Sequence, residues 1–189
     1  YQIKPLGVVL PKDTNDVLSL MEYSQKNSVP LLARGGGSSQ CGQTVGESVV
    51  LDYSKHQNKI LELNVEEKYV WVQPGVVLDH LNAYLKPHGL WFPVDVSTSS
   101  RATIGGMSAN NSCGSRSLYY GNMVHNVLAI EAILDDGSIF NFDQINKNYL
   151  ATKNNQDRLY KIIDKFIDVR QQVGGEIDAN WPTTQRRVG

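Results

Sequence analysis

The stretch "ARGGGSSQCGQTVG", residues 33–46, places three consecutive glycines and a run of hydroxyl and amide side chains between two apolar segments. The segment "VPLLAR" leads into the glycines and "SVVLDY" follows the stretch, and both have the Val- and Leu-rich composition of short β-strands. A flexible linker has this composition. So has a turn whose bare backbone comes close to an anion. The stretch alone leaves both interpretations open.

The composition of the whole chain is that of a globular protein. Of its 189 residues, 41% are hydrophobic and 20% are charged, which argues against disorder. The net charge of -1 provides no basic surface, so we predict no nucleic-acid partner. No apolar run approaches the about 20 residues of a membrane-spanning helix, so we predict no transmembrane segment. Two cysteines in Gly- and Ser-rich stretches form no disulfide framework, which predicts a reducing cytoplasm.

The N-terminal part predicts a strand, a helix and a second strand. "GVVLP" (residues 7–11) is typical of a strand, and Asp13 is a suitable helix N-cap because its carboxylate accepts hydrogen bonds from first-turn N–H groups. Val17, Leu20 and Met21 then fall on one helical face. "VPLLAR" follows as the second strand. This order predicts a small β-α-β unit with the glycines at the carboxyl end of its second strand.

The later elements do not alternate strictly, which predicts an α+β fold rather than a doubly wound parallel sheet. "SVVLDY", "KILELN" and "KYVWVQPG" predict strands, and leucines at residues 78, 81 and 85 predict a helix. "HNVLAIEAILDDGSIFNF" predicts a hairpin with its turn at Asp135-Asp136-Gly137. An amphipathic helix is predicted over residues 157–172, and its apolar face would comprise Leu159, Ile162, Ile163 and Phe166.

A second glycine turn lies in the long polar segment at residues 91–122. "TIGG" (residues 103–106) precedes "MSANNSCG", and Thr103 is a suitable N-cap for a short helix, whose first N–H groups would bind phosphate readily. Two glycine turns of matching chemistry indicate a site in which both close on one diphosphate, and two unrelated surface turns remain the alternative. Neither G-x-x-x-x-G-K-[ST] nor G-x-G-x-x-G occurs here, so a P-loop or a Rossmann site is not expected.

Three motifs in order carry a resemblance to a known family: "ARGGGSSQCGQ", "VQPGVVLDHLNAYLKPHGLWFPVD" and "TIGGMSANNSCGSRSLYYGNMVHNVLAIEAILDDG". From about residue 5 to about residue 143, the chain resembles the FAD-binding domain of the p-cresol methylhydroxylase/vanillyl-alcohol oxidase superfamily. Within it, the chain is most similar to the D-2-hydroxyacid dehydrogenase branch, with its D-lactate, glycolate and D-2-hydroxyglutarate dehydrogenases. The resemblance implies a two-lobed α+β fold, in which a small N-terminal lobe contains the β-α-β unit and part of a second α+β lobe follows.

The resemblance also implies which residues hold FAD. The first phosphate turn would comprise Arg34, Gly35, Gly36, Gly37, Ser38, Ser39 and Gln40. The second would comprise Thr103, Ile104, Gly105 and Gly106. The residues along the ribityl chain and the flavin ring would be Pro93, Asp95, Ser97, Ala109, Asn110, Asn111, Ser112, Gly114, Tyr120 and Gly121.

Departures from the family pattern refine these expectations. Members with covalent flavin often carry histidine in the first glycine turn, and this chain has Gly37 there, so we expect non-covalent FAD. Cys113 replaces a small residue and is either a packed core residue or a redox-active thiol near flavin. Arg34 either pairs with a phosphate or pins its loop to a carboxylate.

Parts of the family's domain set are missing from this sequence. No segment matches the third FAD-domain motif, a Gly-Ser-Glu-Gly turn, or the substrate-binding domain with its histidines. Residues 1–143 would therefore form an incomplete FAD-binding domain, and residues 144–189 a helical lead-in or insertion toward the remainder. Long family members also carry an iron–sulfur module elsewhere. We assign no catalytic or metal-ligating residue in this chain and interpret its histidines as solvated or structural: His56, His80, His88 and His125.

The implied function is the FAD-binding part of an oxidoreductase that oxidises a D-2-hydroxy acid by hydride transfer to flavin N5. The hydroxy acid would bind through the missing domain, and the fragment alone would be inactive. The protein would be cytoplasmic or peripheral at the inner face of the membrane. The alternatives are an FAD reductase of the UDP-N-acetylenolpyruvoylglucosamine reductase type, a flavin subunit of a molybdenum hydroxylase, and a non-catalytic nucleotide-binding domain.

Overall fold

The computed structural model describes residues 2–143 and 158–181. These residues fall into two compact units. Residues 2–127 and 135–137 form the first unit, and residues 128–134, 138–143 and 158–181 form the described part of the second. Within the described residues, no helix is both long enough and apolar enough to cross a membrane.

A three-stranded parallel sheet forms the N-terminal part of the first unit. Strands β1 (Gly7–Val9), β2 (Leu31–Arg34) and β3 (Val49–Asp52) lie in the order β1-β3-β2, and β3 is parallel to both neighbours. The predicted β-α-β unit is therefore present but split, because β3 lies between the two strands that the helix joins. The glycine turn begins directly after Arg34, which pairs with Asp52 at the carboxyl edge of the sheet.

Helix α1 (Thr14–Asn27) joins β1 to β2 and begins where the sequence predicts. Asp13 is its N-cap, and its Oδ1 accepts hydrogen bonds from the backbone N of Asn15 at 2.8 Å and of Asp16 at 3.1 Å. Val17 is the buried residue of this helix. The capping prediction is confirmed, and the cap fixes where the chain leaves the sheet.

An antiparallel strand pair and a second helix follow in the same unit. Strand β4 (Ile60–Asn64) pairs with β5 (Tyr69–Val72), and helix α2 (Leu78–Leu85) follows, with a 3-10 turn at Lys86–His88. The three predicted leucines of α2 are buried. Two apolar clusters form the core here: one contains Val76, Leu81 and Leu85, and the other Leu78, Val94, Ala102, Met107 and Met123.

The long polar segment is folded around the second of these clusters. It contains helices α3 (Ile104–Ala109), α4 (Ser117–Tyr120) and α5 (Met123–Asn126). Thr103 is the N-cap of α3, as predicted, and its Oγ1 accepts a hydrogen bond from the backbone N of Gly106 at 3.4 Å. Met107 and Met123 anchor α3 and α5 in the core, so the polar residues between them are held on a packed base.

The second unit contains the predicted hairpin and the last helix. Strands β6 (Ile130–Ile133) and β7 (Ile139–Phe142) are antiparallel, and Leu134 N donates to Ser138 O at 2.8 Å next to the turn. Helix α6 (Arg158–Asn180) extends beyond the predicted end at residue 172. Residues 144–157 of the predicted lead-in lie outside the described residues.

The predicted apolar face of α6 is partly wrong. Leu159 and Ile163 are buried, but Phe166 is 73% exposed. Residues spaced by three and four continue an apolar stripe along the helix. Gly174 is the other buried residue of α6, and Val169 and Val173 are 47% and 38% exposed. The element types nevertheless confirm the α+β class, because a parallel sheet, antiparallel pairs and helices occur together.

Candidate functional site

The first glycine turn lies directly against the segment that precedes the second. A Cβ atom on Gly36 would overlap the carbonyl oxygen of Arg101, and one on Gly35 would overlap Oγ1 of Thr103. A Cβ atom on Gly106 would lie 3.9 Å from Cα of Gly35. The structure therefore brings the two turns into contact, and glycine is required because two backbones approach each other without room for side chains.

The backbone N–H groups of the first turn have no hydrogen-bond acceptor in the part of the chain that the structure describes. Among residues 2–143 and 158–181, no acceptor is hydrogen-bonded to the backbone N of any residue from 35 to 40. Gly37 has a φ angle of 63°, in the left-handed region that favours glycine. Consecutive N–H groups without protein partners form a concave donor surface of the kind that binds anions.

The second turn uses its N–H groups differently. Ile104 N donates to Val76 O at 2.8 Å, and Gly105 N donates to Pro74 O at 2.9 Å. A Cβ atom on Gly105 would lie 2.9 Å from Cα of Pro74. The turn is therefore fastened to the connection between β5 and α2.

A cleft with a volume of about 510 Å³ is lined by residues of both glycine turns. All seven predicted residues of the first turn line it. Seven further predicted residues also line it: Ser97, Thr103, Gly106, Ala109, Asn110, Asn111 and Ser112. Cys113, for which the sequence left open a position near flavin, also lines the cleft. Lining residues that the sequence did not indicate are Ala33, Gln43, Thr44, Val96, Thr98, Ala102 and Met107. Each of these flanks a predicted residue within four positions, and that adjacency was the available signal.

Two side-chain contacts link the first loop to the opposite wall of the cleft. Gln43 Nε2 donates to Asn110 Oδ1 at 3.4 Å. Thr98 Oγ1 donates to Ser38 Oγ at 3.5 Å. Both distances are long for hydrogen bonds, so these contacts hold the loop weakly.

The guanidinium of Arg34 adjoins the first turn at Gly37. Its Nη1 donates to the carbonyl oxygen of Thr44 at 3.4 Å, and a Cβ atom on Gly37 would lie 2.6 Å from its Cζ. In the part of the chain that the structure describes, Arg34 has no carboxylate partner. The arginine therefore pins the loop through a carbonyl group rather than a carboxylate, and its positive charge remains beside the free N–H groups.

Seven predicted site residues do not line the cleft: Pro93, Asp95, Ile104, Gly105, Gly114, Tyr120 and Gly121. Ile104 packs against both core clusters. Tyr120 is 40% exposed, and its ring centroid lies 5.1 Å from that of Trp91 in an edge-to-face arrangement. Gly121, with a φ angle of 79°, adjoins His125, since a Cβ atom there would lie 2.7 Å from the imidazole.

The carboxylate of Asp95 is held by hydrogen bonds. Its Oδ2 accepts from Ser115 Oγ at 2.5 Å, and its Oδ1 accepts from Arg116 N at 3.0 Å. Burial opposes ionisation here, but these hydrogen bonds and the Arg116 charge outweigh it, so the pKa of Asp95 lies below its ordinary value of 3.8. The ionised form is therefore stabilised in the fold above that value, and this stabilisation is lost as the pH falls through the lowered pKa.

His125 has a structural contact, and the described residues offer no metal centre. Nδ1 of His125 accepts a hydrogen bond from Asn122 N at 3.0 Å, so the ring closes the start of α5. That acceptor role places the proton of the neutral ring on Nε2. Within the described ranges, no group of three or more His, Cys, Asp or Glu side chains could hold a metal ion.

Comparisons with known proteins identify the family of this chain. Residues 5–143 match the FAD binding domain family. The chain is 41% identical over 149 residues to D-2-hydroxyglutarate dehydrogenase of Haemophilus influenzae, covering 77% of this chain and 14% of that protein. It is 40% identical over 140 residues to the mitochondrial cytochrome D-lactate dehydrogenase of Kluyveromyces lactis, covering 72% of this chain and 24% of that protein. The chain thus spans less than a third of the length of either relative.

A solved structure with the same fold is 6-hydroxy-D-nicotine oxidase from Arthrobacter nicotinovorans. The TM-score is 0.67 at 19% identity, and the match covers 76% of this chain and 31% of the oxidase. The predicted two-lobed fold of the p-cresol methylhydroxylase type is therefore confirmed, as is the resemblance to the D-2-hydroxyacid dehydrogenase branch. The match over residues 5–143 shows that the chain belongs to the family of FAD-binding domains, with FAD as its cofactor.

Proposed function

We propose that this chain holds the FAD of a dehydrogenase that oxidises a D-2-hydroxy acid. The observation that carries the proposal is the cleft lined both by residues 34–40 and by residues 109–113, since the backbone N–H groups of residues 35–40 have no acceptor among the described residues. Two relatives with the D-2-hydroxyglutarate and D-lactate dehydrogenase names support the substrate class. Because the chain is much shorter than either, the substrate would bind to parts of the protein outside this chain.

The first turn fits a diphosphate in three respects. Its N–H groups provide donors without the entropy cost of ordering long side chains. Gly35, Gly36 and Gly37 have no side chains between the backbone and an approaching oxygen. Arg34 adds one positive charge from below, where its guanidinium adjoins Gly37. The cleft volume of about 510 Å³ is in the range of known ligand sites.

The predicted site residues divide into two proposed roles. We propose that the fourteen predicted residues that line the cleft contact the cofactor. The seven others would hold the contacting residues in place, since Gly105 fastens the second turn to Pro74 and Asp95 bonds to the turn at Ser115. For Ile104, Gly105, Asp95 and Gly114, we therefore propose a supporting role in place of the direct contact with FAD that the family resemblance implies.

The proposed attachment of FAD is non-covalent. A side chain at position 37 would need a left-handed backbone and would displace the guanidinium of Arg34. FAD supplies the hydride acceptor when it is bound, and this chain's residues bind it, orient it and exclude water from one side. We place the acceptor of the substrate's hydroxyl proton in the remainder of the protein.

The organisation of the whole protein is part of the same proposal. Residues 1–143 would contribute an incomplete FAD-binding domain and residues 144–189 a helical lead-in to further domains. An iron–sulfur module elsewhere in the polypeptide could then receive electrons. The cytoplasm, or the inner face of its membrane, would be the location, which suits two free cysteines.

Protection of Cys113 by FAD tests the binding site. Cys113 lines the cleft, whereas Cys41 is exposed and outside it. The purified chain is alkylated with a maleimide at increasing FAD concentration, and both cysteine peptides are quantified by mass spectrometry. We expect FAD to slow alkylation of Cys113 at least threefold more than that of Cys41, alongside quenching of flavin fluorescence. Flavin binding that leaves Cys113 unprotected would contradict the proposed site.

Turnover tests the reaction. The longer polypeptide is assayed with an artificial electron acceptor against a panel of D- and L-2-hydroxy acids. Reduction of the acceptor with D-isomers alone supports the proposal. A flavin-loaded protein that instead oxidises a reduced nicotinamide would favour the reductase alternative.

A further inference from the structure

We propose that Asp95 is a positioning residue that fixes Cys113 in the wall of the cofactor cleft without itself reaching the cleft. Three observations lead to this inference: where Asp95 is anchored, what its carboxylate holds, and which residues lie between the resulting fixed points. Any effect of Asp95 on the position of FAD rests on the proposed FAD site, whereas the contacts of Asp95 with residues 114–116 are independent of it.

The backbone around Asp95 is anchored in the core. Val94 on one side is fully buried, and Val96 on the other side packs against the same apolar cluster. The carboxylate therefore projects from a segment that has little freedom to move. Its side chain is 29% exposed, so the hydrogen bonds it accepts are partly shielded from water.

The carboxylate holds the turn at residues 114–117. It accepts from Ser115 Oγ and Arg116 N, and Nε of Arg116 lies 3.7 Å from Oδ2. Gly114 lies flat against Asp95, because a Cβ atom there would lie 2.6 Å from the Asp95 carbonyl carbon. Hydrogen bonds between Gly114 and Ser117 close the turn itself. Hydrogen bonds to an ionised acceptor are about twice as strong as neutral ones, so the carboxylate ties this closed turn to the core-anchored segment around Asp95.

Cys113 lies between this turn and a second fixed point. Ser112 N donates to Met107 O at 2.9 Å, and Met123 N donates to Ser112 O at 3.0 Å, which ties Ser112 to α3 and α5. In the described part of the chain, the backbone of Cys113 forms no hydrogen bond of its own. Its place in the cleft wall is therefore set by its neighbours, and Asp95 holds the neighbour on one side.

The guanidinium of Arg116 adds a further contact that does not depend on Asp95. Its Cζ lies 5.1 Å from the centroid of the Trp91 ring, in a cation–π arrangement. The side chain can therefore keep its orientation when the carboxylate is changed. The two substitutions therefore differ. Asp95→Ala removes the hydrogen bonds from Ser115 Oγ and Arg116 N together with the charge pair, whereas Arg116→Gln keeps these hydrogen bonds and removes the charge pair and the cation–π contact.

The test compares the alkylation rates of Cys113 and Cys41 in the chain without FAD. We expect Asp95→Ala to raise the rate at Cys113 about tenfold, the equivalent of one lost charge-assisted hydrogen bond, with no change at Cys41. Asp95→Asn keeps one acceptor oxygen and should restore part of the protection. Arg116→Gln should raise the rate less than Asp95→Ala. Asp79→Asn is the matched control, since it removes the same charge at an exposed helix position.

Other outcomes overturn the inference. Equal increases at both cysteines would show general loosening of the fold, and an unchanged rate in a folded Asp95→Ala protein would show that the carboxylate does not fix the wall. If Asp95→Ala does not fold, Ser115→Ala, which removes one hydrogen bond, provides the same comparison. In FAD-loaded protein, the visible circular dichroism of the flavin should change with Asp95→Asn and not with Asp79→Asn. A longer polypeptide, with the remainder of the FAD-binding domain, that binds no FAD refutes the proposed function and leaves the cysteine comparison valid.

Discussion

The two glycine turns have similar compositions and use their backbone N–H groups in opposite ways. In the first, the N–H groups of residues 35–40 have no acceptor among the residues described. In the second, Ile104 and Gly105 donate to carbonyl oxygens of Val76 and Pro74. The first turn can therefore donate hydrogen bonds to a ligand. The second turn is held by its hydrogen bonds to Val76 and Pro74, and the first turn packs against it.

Glycine therefore serves two physical purposes in the same site. At Gly36, the missing side chain lets a donor-bearing loop lie against the carbonyl of Arg101. At Gly105, it lets a helix start lie against Pro74. Substitutions at the two positions should consequently change different properties of the protein.

The largest expected effect comes from adding one methyl group to each turn. Gly36→Ala and Gly105→Ala both force a methyl group against backbone atoms, and each should lower the free energy of unfolding by about 1–3 kcal/mol. Gly36→Ala should also weaken FAD binding about 10- to 100-fold, because the donor loop must move. Gly105→Ala should leave the affinity of the folded protein within about threefold of wild type. Chemical denaturation and FAD titration measure the two quantities.

Gly7→Ala is the control for this pair. Gly7 lies in β1, and no atom lies within 4 Å of a Cβ atom built there, so the substitution adds a methyl group in open space. It should leave FAD affinity unchanged. If Gly105→Ala weakened binding as much as Gly36→Ala, the two turns would not be functionally distinct.

An intermediate effect is expected at Arg34, which should matter only to the first turn. Arg34→Gln removes the positive charge beneath the free N–H groups, and FAD affinity should fall about tenfold, which is typical of one charge-assisted contact. The salt dependence of binding should also weaken. Arg34→Lys keeps the charge but loses the planar group that adjoins Gly37, so it should recover only part of the affinity.

Lys59→Gln, which makes the same charge change at an exposed position of another strand connection, should have no effect on FAD affinity. An Arg34→Gln protein with unchanged affinity and lowered stability would mean that the arginine only pins the loop to Thr44.

Local signals in the sequence predicted most of the framework. Short segments rich in Val, Leu and Ile indicated the strands, and Asp13 and Thr103 marked helix starts because each side chain accepts from first-turn N–H groups. The contact between the two glycine turns followed from their shared chemistry and from the family resemblance. These features depend on residues close in sequence or on a recognised pattern.

The remaining features depend on partners distant in sequence. The sequences of the individual strands do not indicate which strands pair, so the position of β3 between β1 and β2 was not predicted. The amides of Ile104 and Gly105 were expected to face a phosphate, but Val76 and Pro74 accept from them. Phe166 fits the helical period and is still exposed, because periodicity identifies a face and not what covers it. Whether a polar group is free can be judged only when its neighbours are known.

The smallest effect is expected at Gln43, whose side chain joins the segment after the first turn to the opposite wall of the cleft. Gln43 reaches Asn110 across the cleft at 3.4 Å, a distance at which a hydrogen bond contributes little. Gln43→Ala should accelerate FAD dissociation about twofold with no change in stability, since it releases the loop from the opposite wall. Gln171→Ala, on the exposed surface of α6, is the control in stopped-flow measurements. A tenfold or larger acceleration would mean that Gln43 contacts the cofactor itself, and the free N–H groups would then share their role with a side chain.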